Sequence, residues 1–283
     1  MRIDMHTHAF ADKIAARALE TIMAPMPPQY RTPYDGRLAT LLSQLKANNF
    51  DKAVLCQIAT KPPQYGPILD WSQAIRRGDF GETAAETFIP IPSVHPDDPE
   101  RVAHLAEVAK LGFKGVKLHP YFQRFTLDTP DMLDYFRAVR DNGLFVISHI
   151  GYDIGFPFED VCGPHRVAHV LEAVPDLRMM VTHFGGWLDW EEASRVLIGA
   201  PVDIEISMAI GFCDPALFKE MLFRHPQDRL HFGSDWPWSQ YGVTLPFLDA
   251  CGLDSTRKEA LMGGNAARWL GIEKPHPAWS PHP

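Results

Sequence analysis

Cysteine is scarce in this chain and never paired by spacing. Cys56, Cys162, Cys213 and Cys251 are scattered, with no C-x-x-C among them. Reduced thiols are therefore expected rather than a disulfide framework or a thiolate zinc site. Clusters of positive charge are also missing, and the formal net charge is -8, which argues against nucleic-acid binding. No apolar run is long enough to span a membrane, and MRIDMHTHAF lacks the apolar stretch of a signal peptide. No G-x-G-x-x-G follows the first apolar run, which disfavours a dinucleotide-binding sheet. These absences leave a cytoplasmic globular protein acting on a small molecule, with neither nucleic acid nor membrane as partner. Association into a homo-oligomer stays open at this stage.

Hydrophobic residues make up 46% of the chain and charged residues 22%, which suits one large domain, placed at residues 1–272. Eight short apolar runs follow one another: Arg2–Met5, Ala53–Ile58, Phe88–Val94, Gly115–His119, Leu144–His149, Arg178–His183, Val202–Ser207 and Leu230–Asp235. Each reads as a strand buried on both faces, as parallel strands are. Amphipathic segments separate them. Asp98-Pro99, Thr129-Pro130 and Asp214-Pro215 each pair a helix cap with a first-turn proline, and Asn142-Gly143 marks a helix end. The alternation predicts an α/β chain, either a closed parallel barrel or a doubly wound open sheet, and the single (β/α)₈ TIM barrel is the reading taken. Residues 9–35 are too long for a bare turn and are read as an inserted helix and loop over the barrel mouth. The proline-rich tail at 273–283 is read as extended.

Several runs end in residues that bind metals or move protons. Active sites of such barrels lie at the C-terminal strand ends, so these side chains would converge. His6 and His8 are two apart and share a face of the first strand, where two imidazoles can chelate one ion. The competing reading is a pair of solvated histidines. His149 and His183 each follow an apolar run and precede glycine. Asp235 follows the eighth run, where either a metal or a turn before Pro237 would occupy it. Lys117 and His119 share a face of the fourth strand. Lys117 reads as a substrate-binding cation, as a carbamylated bridge between two metals, or as a plain mouth residue; His119 could equally hold a loop.

This ordered set, from IDMHTH through GVKLHP, SHIG and THFGG to FGSDWP and GGNAARWLGI, resembles the amidohydrolase superfamily. It is most similar to the amidohydrolase-related (amidohydrolase 2) branch of metal-dependent barrel hydrolases and decarboxylases. The resemblance covers nearly the whole chain. It implies His6, His8, His149 and Asp235 as ligands of one divalent ion, most naturally Zn²⁺, with Asp235 also the general base and His183 the acid/base. In two-metal members of the family a strand-four lysine and the strand-six histidine, matched here by Lys117 and His183, hold a second ion. His119 falls outside that pattern, and one ion or two stays open, as does a substrate-binding role for Lys117 and His119. The implied chemistry is hydrolysis of an ester, lactone or amide by a metal-activated water. Non-oxidative decarboxylation of an aromatic or muconate-type acid is the alternative, with Lys117, Arg124 and Arg166 as carboxylate clamps, and a non-catalytic metal- or ligand-binding barrel ranks below both. Trp187, Trp236 and Tyr152, with Tyr121, Phe122 and Trp238, are the aromatic candidates for the substrate pocket.

Overall fold

All eight apolar runs form strands: β1 (Ile3–Thr7), β2 (Lys52–Cys56), β3 (Phe88–Ile91), β4 (Gly115–Leu118), β5 (Phe145–Ser148), β6 (Met179–Val181), β7 (Asp203–Glu205) and β8 (Leu230–His231). The computed structural model describes residues 1–272; the tail expected to be extended lies outside the described residues. Every strand pairing is parallel, in two ladders that run β1-β2-β3 and β4-β5-β6-β7-β8. Individual bonds close these ladders into a (β/α)₈ barrel. Met5 N–H donates to the Phe232 carbonyl at 2.9 Å and His8 N–H to that of Trp236 at 2.7 Å, which joins β1 to the end of β8. Lys117 N–H donates to the Pro92 carbonyl at 3.0 Å across the β3–β4 seam. That seam is sparse for a chemical reason. Residues 90 and 92 both face β4 and both are proline, so β3 offers carbonyls there but no N–H.

The barrel interior is filled by alternate residues, Ile3, Met5, Val54, Cys56, Phe145, Ile147 and Met180, and is closed below by Ala266, Ala267 and Leu270. The intervening residues Ala53, Leu55, Val116, Leu118, Val146, Val181 and Ile204 pack outward against the helices. With strict alternation, Ile3 and Met5 inside would send His6 outside. The register slips between Asp4 and Thr7, where β1 advances three residues while β2 advances two, from Ala53 to Leu55. This bulge reverses the phase and brings His6 and His8 to the interior. Asp4 supports it: its Oδ1 accepts His6 N–H at 3.1 Å and Ser234 N–H at 3.0 Å.

Helices follow the strands as the caps predict, with one shift. Asp214 caps the helix Pro215–Arg224 by accepting from Ala216 and Leu217 N–H, and Thr129 precedes the helix Pro130–Asp141. The helix expected after Asp98 begins at Arg101 with Glu100 as its cap residue. Asp98 instead bonds Glu100 N–H and pairs with His104. The insertion after β1 holds a helix, Asp12–Met23, and a turn of 3₁₀ helix, Pro28–Tyr30. Tyr30 stacks on Phe212 and meets Trp187 edge-on, which docks this segment across the mouth. Among the described residues, no helix is long and apolar enough to cross a membrane.

Candidate metal centre and active-site cavity

Three donor atoms meet at the top of the barrel. His6 Nε2 and His8 Nε2 lie 3.0 Å apart, and Asp235 Oδ1 stands 3.3 Å from the first and 3.1 Å from the second. The far side of each ring is anchored. His8 Nδ1 faces the Cys56 carbonyl at 2.9 Å, and His6 Nδ1 faces Glu205 Oε1 at 3.0 Å. A ring whose Nδ1–H donates to such an oxygen leaves Nε2 as a bare lone pair. Asp235 is held in the left-handed region at φ 58, and its N–H donates to the His6 carbonyl at 2.7 Å. Strained backbone of this kind clusters at functional sites.

Glu205 is the carboxylate that sequence reasoning missed. It ends β7, is fully buried, and accepts from Ser207 N–H (2.6 Å), Ser207 O–H (2.8 Å) and His183 N–H (3.0 Å) as well as facing His6. Burial pushes its pKa up to about 8, against the lowering effect of the bonds from Ser207 and His183. The signal available beforehand was a charge inside the apolar run VDIEIS, the same signature as Asp4 in RIDMH. His183 Nδ1 meets Ser207 Oγ at 2.9 Å, and His183 Nε2 meets His149 Nδ1 at 2.9 Å. His149 Nε2 is buried with no hydrogen-bond partner. Burial holds His6, His149 and His183 well below the usual imidazole pKa. The next contributors are Lys117 for His6, His119 for His149 and His149 for His183.

His149 thus stands next to the His6–His8–Asp235 group rather than within it, and gathers with His119 and Asp153. His119 Nε2 lies 3.3 Å from Asp153 Oδ2, and burial raises Asp153 to about 6. The His119 and His149 rings stack, 4.1 Å between centroids and 13° between planes. Imidazole lone pairs lie in the ring plane, so two parallel rings at this spacing cannot both aim at one ion. Lys117 is wholly buried, and its Nζ lies 3.0 Å from His6 Nε2, with its pKa lowered by burial.

A cavity of about 1070 Å³ opens above these groups. His6, His8, Lys117, His119, His149, Asp153, His183 and Asp235 all line it, together with Trp187, Trp238, Phe122 and, from the inserted segment, Ile14, Arg17, Ile22, Met26 and Tyr30. Five expectations are corrected here. Tyr121 is buried, donates its hydroxyl to the Glu159 carbonyl and does not line the cavity. Trp236 is fully buried and packs on Tyr34, and Tyr152 donates its hydroxyl to the Phe156 carbonyl; neither lines the cavity. Arg124 is exposed at the end of a short helix, and Arg166 pairs with Asp128 and Asp160. Neither arginine reaches the cavity.

The donor set fits a divalent cation. Ligand atoms about 2.1 Å from a tetrahedral ion stand about 3.4 Å apart, close to the spacings of His6, His8 and Asp235. Two bare imidazole nitrogens and a carboxylate oxygen converge there, with Lys117 Nζ donating to His6 Nε2 at 3.0 Å. The unpartnered His149 Nε2 is a further donor within the same cavity.

Comparison with known proteins agrees with this architecture. A sequence model of the family described as Amidohydrolase matches residues 3–272. No curated protein matches the chain by sequence. Among solved structures, an uncharacterised TIM-barrel protein from Bordetella bronchiseptica aligns with a TM-score of 0.76 at 20% identity, covering 96% of this chain and 98% of its own. A protein described as a probable 2-pyrone-4,6-dicarboxylic acid hydrolase from Acinetobacter baumannii, with citric acid bound, gives 0.66 at 18% identity, with 95% and 99% covered. The 5-carboxyvanillate decarboxylase of Novosphingobium aromaticivorans, complexed with manganese and 4-hydroxy-3-methoxy-5-nitrobenzoic acid, gives 0.67 at 17% identity, with 96% and 96% covered. At these identities the likeness is one of fold.

Proposed function

The chain belongs to the amidohydrolase family, and from that premise we propose that it is a metal-dependent hydrolase cleaving an ester, lactone or amide in a small, largely apolar substrate. The observation that carries this reading is the convergence of His6 Nε2, His8 Nε2 and Asp235 Oδ1 within 3.3 Å at the floor of the cavity. His6, His8 and Asp235 would hold the ion, with His149 Nε2 as the fourth donor. When bound, a divalent ion such as Zn²⁺ supplies Lewis acidity toward a carbonyl oxygen and toward water. Asp235 has one oxygen in the donor group and is partly open to the cavity, at 14% side-chain exposure, so it is placed to take a proton from the attacking water. His183, neutral because it is buried, accepts at Nε2 in the resting state. It serves as the acid toward the leaving group only after a proton has reached it. Trp187, Trp238 and Phe122 wall the apolar part of the cavity.

Decarboxylation on the same site is the second reading, supported by the decarboxylase among the structural relatives. Arg124 and Arg166, the sequence candidates for a carboxylate clamp, lie away from the cavity, whereas Arg17 of the inserted segment, with Lys13 and Arg77, lines it and would offer a cation to a carboxylate. Lys117 lines the cavity wall but is wholly buried, its Nζ 3.0 Å from His6 Nε2 among the converging donors. The deciding experiment sets esters, lactones and amides against aromatic and unsaturated acids, in ¹⁸O-labelled water with the protein loaded with Zn²⁺ or Mn²⁺. Incorporation of one solvent oxygen per turnover supports hydrolysis; release of carbon dioxide without it overturns the hydrolase in favour of the decarboxylase.

A further inference from the structure

We infer that Glu205 is a positioning residue that sets the tautomers of three histidines, His6, His183 and His149, and thereby readies two of them as metal donors. The argument is an accounting of protons. Two backbone groups, His183 N–H and Ser207 N–H, donate to the carboxylate at 3.0 and 2.6 Å. Ser207 has one hydroxyl proton, and a carboxylate outcompetes an imidazole lone pair for it, at 2.8 Å. The Ser207 oxygen is then an acceptor toward His183 Nδ1 at 2.9 Å, so that nitrogen carries the proton. His183 Nε2 is left bare and accepts from His149 Nδ1–H at 2.9 Å. His149 Nε2 must then be bare, and it is one of several buried nitrogens among the described residues that have no hydrogen-bond partner. On the other side, His6 Nδ1–H donates to Glu205 Oε1 at 3.0 Å, leaving His6 Nε2 bare among the other donors.

One carboxylate therefore directs lone pairs from β1 and, through β6, from the end of β5 into the same cavity. The rest of the site makes room for it. A Cβ on Gly233 would stand 2.0 Å from Glu205 Oε2, so the glycine of FGSD admits the carboxylate. Outer carboxylates that fix the tautomer and orientation of a metal-binding histidine are a general device. Here one group serves two such rings by different routes.

The metal half of this inference rests on the reading of His6 and His149 as ligands; the tautomer half does not. The test uses ¹⁵N-labelled, metal-free protein above about pH 8, where Glu205 is the ionised carboxylate of this accounting, and long-range ¹H–¹⁵N spectra of the imidazoles, assigned with single histidine variants. In the unaltered protein His6, His149 and His183 are expected as Nδ1–H tautomers. Ser207→Ala should change the tautomers of His183 and His149, whereas His6, which Ser207 Oγ also approaches at 3.4 Å, should shift but keep its Nδ1–H through Glu205; Glu205→Gln should disturb all three. Competition with a chelator for Zn²⁺ should show Glu205→Gln binding about 10- to 100-fold more weakly, with Glu205→Asp recovering part of the loss. If Glu205→Gln fails to fold, Ser207→Ala decides the matter by its selectivity. An Nε2–H tautomer at His6 or His149 in the unaltered protein overturns the inference, as does a Ser207→Ala spectrum identical to it. Correct tautomers in a protein that binds neither Zn²⁺ nor Mn²⁺ support the assignment and overturn the metal reading.

Discussion

Glu205 and Gly233 are in contact across the β7–β8 seam so closely that no side chain fits between them: a Cβ at 233 would lie 2.0 Å from Oε2 and 2.7 Å from Cδ of Glu205. The carboxylate cannot swing aside cheaply, because Ser207, His183 and His6 hold both of its oxygens. Gly233→Ala should therefore cost about 1–3 kcal/mol, the range for overpacking a filled interior. It should also lower activity more than a core substitution of equal cost. Urea unfolding midpoints and steady-state rates measured together check this; a variant with unaltered midpoint and rate would show that the contact is slack.

The barrel was legible because burial on both faces writes each parallel strand as a short apolar run, and all eight runs carry strands. The residues His6, His8, His183 and Asp235 were legible because chemistry-bearing side chains recur at strand ends. What escaped were groups whose role depends on phase and direction. Glu205 sits inside an apolar run, where a lone charge signals a buried partner only once the partner is known. The bulge in β1 that turns His6 inward leaves no mark in IDMHTH. The aromatic side chains after strand ends could point to cavity or core with equal ease, which is why Trp187 and Trp238 line the cavity and Trp236 does not. Asp98-Pro99 has the sequence of a cap, but its carboxylate is taken by His104 and the helix starts later.

A histidine remote from the site should shape the acid limb of stability. His225 is buried; Gly199 N–H points at its Nδ1 at 3.3 Å, and its Nε2 faces the Val202 carbonyl at 3.0 Å. Only the neutral Nε2–H form satisfies both, and burial lowers its pKa from 6.5 to about 4. The unfolded chain takes up this proton below about 6.5 while the folded chain refuses it, so stability is lost as pH falls from there toward 4. The full effect approaches ~3 kcal/mol. His225→Gln should reduce, without abolishing, the difference between unfolding midpoints at pH 7 and pH 5, since buried His6, His149 and His183 titrate in the same sense; an unchanged difference would assign the whole pH dependence to those groups.

Metal binding should be visible as stability. A ligand that binds the folded chain alone, at 100 times its dissociation constant, stabilises by about 2.7 kcal/mol. Protein stripped with a chelator should accordingly melt several degrees lower than the same protein given Zn²⁺ or Mn²⁺. His6→Ala or His8→Ala should abolish the difference, since each removes one of the three converging donors. Equal melting of stripped and loaded protein, followed by scanning calorimetry, would count against the centre.

Asp235→Asn separates the chemistry of the carboxylate from its backbone. Asp235 lies at φ 58, a conformation that asparagine and aspartate tolerate better than other side-chain-bearing residues, so the amide should keep the turn where alanine would add strain. Asparagine keeps an oxygen for the donor group but takes up no proton at neutral pH. The rate constant kcat should then fall by about 10²–10⁴, the usual share of a positioned general base. The far-ultraviolet spectrum and the His6–Asp235 backbone bond should be retained. The pH–rate profile gives the sharper reading. If Asp235 takes the water's proton, the variant's residual rate should rise with hydroxide concentration instead of reaching a plateau. A profile of unchanged shape at reduced height would make Asp235 a ligand only and move the base to another group lining the cavity.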